Sequence, residues 1–171
     1  GLAGSMDFTP GIFNFTNKVL PDTHPQTTLA KQLAEYVLLY SPWQMAADMI
    51  ENYEHQPAFS FVESVPTDWE KTVVVNAKIG NYITIARKDK ASDDWYVGSA
   101  TDVDARDLSI DLSFLDKDRE YMAEVYADGP GADFRSNPYP LMYQRIKVTY
   151  ASSLRLHLAP SGGAAIRIKA F

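Results

Sequence analysis

The chain contains no cysteine. That absence excludes a disulfide framework, a thiolate zinc site and a cysteine nucleophile together. It leaves the compartment open, because exported proteins can do without disulfides. Positive charge is scarce as well: 16 Lys and Arg stand against 22 Asp and Glu, a formal net charge of −6. Such a surface repels phosphate backbones, so nucleic acid is not an expected partner. No apolar run approaches the roughly 20 residues that span a bilayer as a helix, and no charged-then-apolar leader opens the chain; a membrane is not an expected partner either. A Gly-x-Ser-x-Gly elbow, a glycine-rich phosphate loop and an HExxH pair are all missing, which disfavours serine hydrolase, nucleotide and zinc-protease readings. His24, His55 and His157 lie far apart in the sequence and need no more than surface or packing roles.

What is present suits a packed protein. The composition is 46% hydrophobic and 22% charged, with ten Tyr, eight Phe and three Trp. Each buried aromatic removes roughly 150–250 Å² from water, so a sizeable core is available. A length of 171 residues fits one domain plus a fragment, or two small domains.

Periodicity divides the chain at Pro66-Thr67-Asp68. Before it, Leu29, Ala30, Leu33, Ala34, Val37 and Leu38 recur as on one face of a helix, which predicts a helix from Thr27 to Tyr40. Thr27 or Thr28 can cap it. Ser41-Pro42 ends that helix and starts a second, carrying Trp43, Ala46, Ala47 and Ile50; a short third runs from Pro57 to Val65. These helices hold more apolar surface than they can bury on one another, which implies a partner outside them.

After Pro66 the period falls to two. Strands are predicted at Val73–Ala77, Tyr82–Arg87, Trp95–Ser99, Leu108–Phe114, Tyr121–Tyr126, Ile146–Tyr150, Leu154–Leu158 and Ala164–Ala170. Turn chemistry at Gly80-Asn81, Asp116–Asp118, Asp128-Gly129 and Ser161–Gly163 separates them. Short strands at this spacing indicate an antiparallel sandwich, with Ala127–Leu141 as an exposed loop.

Several blocks resemble one known family. Leu2-Ala-Gly-Ser-Met-Asp-Phe-Thr-Pro-Gly-Ile-Phe13 is similar to the LAGPMDYTPG segment of glycoside hydrolase family 97, with Ser5 in place of the commoner Pro. Thr28–Ala34, Tyr40–Asp48, Val65–Trp69, Ile85–Arg87, Ser92–Gly98, Tyr126–Pro130 and Leu158–Ile166 match further blocks in family order, covering nearly the whole chain. The resemblance implies α+β architecture: residues 1–66 as the last strand, loop and helices of a (β/α)8 catalytic barrel, and 67–171 as a C-terminal antiparallel β-sandwich. It implies a bacterial parent, periplasmic or secreted, cleaving α-glucosides or α-galactosides from the chain end, with either inverting or retaining chemistry. The essential carboxylates, and the glutamates that hold calcium in the α-glucosidase branch, would lie upstream. No catalytic or metal residue is therefore expected here, and calcium would belong to the parent. The expected partners are the missing N-terminal part of the same polypeptide, an oligosaccharide substrate for the parent, and a second copy in a homo-oligomer.

Three residues remain as candidates for substrate contact. Asp7 would sit at the C-terminal end of a barrel strand, where such enzymes build their sites, or else serve as a turn aspartate. Tyr139 and Tyr143 flank the long loop and could stack on a sugar ring, as in a carbohydrate-binding module; cross-strand or interface packing is the plainer role. Trp95 shares a face with Val97 and is expected in the core, while Tyr96 points the other way. Asp102–Asp107 and Asp128–Asp133 lack the spacing of a calcium loop and read as solvated turns.

Overall fold

A computed structural model describes residues 7–20 and 23–171. Gly1–Met6, and with them most of the segment expected to form a barrel strand, lie outside the described residues. Eight antiparallel strands follow Pro66: β1 (Trp69–Lys78), β2 (Tyr82–Asp89), β3 (Trp95–Thr101), β4 (Arg106–Asp111), β5 (Glu120–Asp128), β6 (Leu141–Thr149), β7 (Ser153–Leu158) and β8 (Gly163–Ala170). Six form one sheet in the order β1-β2-β3-β8-β5-β6, and β4 pairs with β7 in a second.

The period-two pattern explains the layers. Trp95, Val97, Ile110, Leu112, Tyr121, Leu156, Ile166 and Ile168 point between the two sheets and are buried there. Alternate residues of the large sheet, Tyr96, Tyr126 and Ala165, face the other way and meet the helical segment in a second cluster. The described residues thus form a β-sandwich whose large sheet carries a helical layer on its outer face. The barrel itself is not in this chain; apart from one isolated parallel bridge, Phe8 to Gln44, every pairing among the described residues is antiparallel.

Helix α1 (Leu29–Leu38) dominates that layer. Thr28 caps it by accepting a hydrogen bond from the Lys31 N–H at 3.3 Å. Leu29, Ala30, Leu33, Ala34 and Val37 are buried as the periodicity requires. Gly98 lets the helix approach the sheet: a Cβ there would lie 2.7 Å from the Ala34 carbonyl oxygen. Arg87 fixes the other end. Its Nε donates to the Val37 carbonyl at 2.7 Å and its Nη1 to Thr72 Oγ1 at 2.9 Å.

The second predicted helix is corrected by the structure. Residues 41–49 are extended or turn, and only α2 (Ile50–Tyr53) is helical before α3 (Phe59–Ser64). Side chains compete with the helical ladder here. Ser41 Oγ donates to the Trp43 carbonyl at 2.7 Å, Gln44 Nε2 donates to the carbonyls of Tyr36 and Leu39, and Asp48 Oδ2 accepts from the Phe13 and Asn14 N–H groups. The segment is pinned to residues 8–14 and to the end of α1. Its apolar side chains consequently stay outside: Trp43 is 65% exposed and Ile50 75%, with Tyr40, Met45 and Met49 beside them in sequence and also exposed.

Candidate functional site

The aromatic residues of α2 and α3 are set by the turn between them. His55 adopts φ 62°, reversing the chain so that Phe59 stacks on Tyr53 at 4.6 Å between centroids. Phe61 then enters between Tyr96 and Tyr126 of the sheet, 6.1 and 5.7 Å away. An open cleft of about 560 Å³ remains beside α3, lined by Tyr53, His55, Gln56, Ser60, Glu63, Tyr126 and Tyr143, with Pro57 and Phe59. Tyr143 lies directly opposite Tyr126 in the β5–β6 register, the rings 4.9 Å apart and tilted by 47°. Ser60 Oγ and the Tyr126 hydroxyl share a hydrogen bond of 2.9 Å. Burial pushes the Tyr143 phenol above its ordinary value, with the Glu124 carboxylate adding to the rise.

The three sequence candidates are not brought together. Tyr143 lines the cleft, half-exposed. Tyr139 is occupied elsewhere: its hydroxyl accepts from the Phe15 N–H at 3.0 Å and its ring meets Phe15 edge-on at 5.3 Å, clamping the N-terminal segment to the loop. Asp7 is exposed, one residue before the bridge that joins Phe8 to Gln44. The cleft residues His55, Ser60 and Glu63 carried no sequence signal, because a short helix has too few turns to show a polar stripe.

Glycoside hydrolysis requires two carboxyl groups roughly 5–9.5 Å apart across the scissile bond. Glu63 is the sole carboxylate among the residues lining the cleft. The cleft can hold a ring against Tyr143 and offer hydrogen bonds, but it cannot supply an acid and its partner base or nucleophile. A second groove, of about 650 Å³, opens where the β4–β7 pair leaves β6 uncovered, and there His157 Nδ1 and Asp107 Oδ1 lie 2.8 Å apart in solvent.

Three further acids serve the fold. Asp102 is held down to about 2 by the Asp104 backbone N–H, Asn81 and Arg106. Asp133 Oδ1 accepts from the Arg135 and Ser136 N–H groups. Asp128 is only 3% exposed, and its Oδ2 accepts from the Ala159 and Gly163 N–H groups; burial pushes its carboxyl up. Among the described residues no group of three or more His, Asp or Glu could hold a metal ion.

Glu35 is a half-buried carboxyl on α1. Burial against the sheet raises it from 4.5 to about 7, with Lys31 one turn earlier pulling it back. The folded protein therefore holds this proton over a pH window where the unfolded chain has released it. Stability attributable to Glu35 falls as pH climbs from 4.5 to about 7 and stays low above it. Glu35→Gln is expected to raise stability by about 1–2 kcal/mol at pH 8 and to change little at pH 4. Urea titrations at the two pH values check this, and equal effects at both would refute it.

Comparison with known proteins sets the cleft in context. The family model for the glycosyl-hydrolase 97 C-terminal, oligomerisation domain matches residues 68–169. A retaining α-galactosidase of Bacteroides thetaiotaomicron is 35% identical over 98% of this chain, which spans 26% of that protein. A glycoside hydrolase family 97 enzyme from Pseudoalteromonas sp. strain K8, solved with acarbose and, as an E480Q variant, with panose, superposes with a TM-score of 0.93 and 49% identity. The match covers 99% of this chain and 27% of that one. A β-arabinopyranosidase superposes at a TM-score of 0.78 and 27% identity, over 96% of this chain and 25% of its own. The chain thus spans about a quarter of the length of these relatives.

Proposed function

The chain belongs to glycoside hydrolase family 97, and we propose that it is the C-terminal part of an exo-acting enzyme on α-glucosides or α-galactosides, contributing contacts rather than chemistry. The observation that carries this reading is a family match across nearly the whole chain joined to a cleft with a single carboxylate. The identity of 49% to an enzyme bound to panose, against 35% to a galactosidase, favours α-glucosides as the substrate class. The upstream part of the polypeptide would supply the acids and any calcium ion.

In this reading residues 1–66 close the catalytic barrel and 67–171 form the sandwich beneath it. The exposed Tyr40, Trp43, Met45, Met49 and Ile50 support it: uncovered aromatic and long apolar side chains of this density mark a surface built to be covered. Tyr143 remains as a platform for an oligosaccharide, whereas Tyr139 is a clamp.

Hydrolysis of p-nitrophenyl α-glucoside and α-galactoside, with and without calcium, tests the assignment. The 171 residues alone are expected to release no p-nitrophenol, while the polypeptide that carries them in a three-domain enzyme does. Turnover by the 171 residues would place two working carboxylates within them and overturn the reading. In the same series, Tyr143→Ala should weaken retention on immobilised maltooligosaccharide without altering turnover; unchanged retention removes Tyr143 from the substrate contacts.

A further inference from the structure

Within the sandwich three exposed aliphatic side chains, Val74, Ile79 and Ile83, gather at one edge. β1 is the last strand of the six-stranded sheet, so one row of its backbone N–H and C=O groups has no strand beside it. Val74 at its centre is 59% exposed, Ile79 at the hairpin tip is fully exposed, and Ile83 of β2 joins them on the same outer face. Natural edge strands ordinarily place a charge where β1 places Val74. The opposite edge, β6, does so: Arg145 and Lys147 occupy it, and a two-fold contact there would oppose like charges.

The charges of β1 suit a second copy of itself. Glu70 and Lys78 lie four residues to either side of Val74. Antiparallel contact about a two-fold axis at Val74 sets Glu70 of each copy against Lys78 of the other. Lys78 faces the Tyr82 end of β2 and Glu70 already pairs with Lys88 at 2.8 Å, so both charges are present at the edge without crossing the sheet. Register shifts near Glu70 and Val75 twist the edge, which favours side-chain contact over a long backbone ladder. A strand of ten residues extends about 33 Å, enough frontage for the roughly 800 Å² per partner that a stable dimer buries. The hairpin tip of this edge lies by Lys31 at the start of α1, about 15 Å along the helix axis from Tyr40 and Trp43, while its Trp69 end adjoins Tyr40 through Arg87.

We propose that two copies of this chain join edge to edge along β1, about a two-fold axis at Val74, with Val74 at the centre and paired Glu70 and Lys78 at the ends, where Ile83 of β2 flanks the contact. This rests on the oligomerising role that the family description gives the domain and assigns that role a surface. Sedimentation of the whole protein tests it. The native protein should sediment as a dimer in the micromolar range and Val74→Lys as a monomer. Lys78→Glu should dissociate it, and Glu70→Lys combined with Lys78→Glu should restore the dimer, because the swap rebuilds both pairs. Arg145→Glu on β6 should leave it dimeric. A native monomer, a dimer indifferent to Val74→Lys, or a charge swap that fails to restore association overturns the proposal. Should Val74→Lys fail to fold, the charge swap on exposed positions decides by itself. The readout is mass rather than hydrolysis, so a monomeric protein that still cleaves glycosides would sink this inference and leave the functional reading standing.

Discussion

Gly98→Val is expected to destabilise the protein by about 3–4 kcal/mol and lower its melting temperature by about 6–16 °C. Gly98 lies in β3, in the middle of the large sheet, directly beneath α1. A Cβ at this position would stand 2.7 Å from the Ala34 carbonyl oxygen and 3.0 Å from Leu38 Cγ and Val37 Cβ. The first neighbour is helix backbone and cannot swing away as a flexible side chain would. β3 is flanked by β2 and β8 and cannot retreat either. The helix must therefore lift, taking Leu33 and Val37 from the buried cluster beneath it. Gly98→Ala should show about half the effect, since one methyl meets the carbonyl but adds no branch. Thermal unfolding followed by circular dichroism checks the series. A valine variant melting within 2 °C of the native protein would mean that α1 is not held at this distance.

Arg87→Ala should cost about 3 kcal/mol, and here two effects oppose. Burial disfavours the guanidinium and lowers its proton affinity, with the Tyr40 phenol acting the other way. Removing a desolvated charge can be neutral when apolar packing replaces it. At this position the partners decide. Val37 and Leu38 are the last residues of α1, their carbonyls lack helical donors, and Arg87 Nε and Nη2 serve both. Losing donors with full charge costs about 1.5–3 kcal/mol per bond where the acceptor stays buried. The guanidinium also lies over the rings of Tyr40 and Trp69, at 5.6 and 5.9 Å. Arg87→Met retains the apolar stem without the donors and should cost about 2 kcal/mol, which separates packing from capping. Urea unfolding measures both. A loss below about 1 kcal/mol for Arg87→Ala would show that desolvation cancels the caps.

The strands were legible because alternation is a local property. Trp95, Tyr96 and Val97 show it directly: the first and third meet the sandwich core and the second meets the helices, as their parity requires. β6 begins at Leu141, well before the apolar run at Ile146, since Met142, Tyr143, Gln144 and Arg145 occupy an edge strand exposed on both sides. No alternation survives where neither face is covered. The second helix failed for a related reason. Its apolar spacing was sound, yet Ser41 turned to the Trp43 carbonyl, Gln44 to the end of α1, and Asp48 to the Phe13 and Asn14 N–H groups, the last of these too remote for any window of sequence to contain. Of the candidate residues, Tyr143 came to line the cleft because the hairpin register sets it against Tyr126, whereas Phe15, 124 residues away, took Tyr139.

The sequence by itself determined the change from helix to strand near Pro66, the number and parity of the strands, the apolar face of α1 and, through ordered motif blocks, the family. Each depends on residues close together along the chain, where dihedral preference and hydrophobic period act. Tertiary structure alone decided the strand order, the glycine beneath α1, the arginine that caps it, and the meeting of Tyr143 with α3. Those depend on distances between residues remote in sequence, which are fixed only when buried polar groups must find partners and the close-packed layers admit one arrangement.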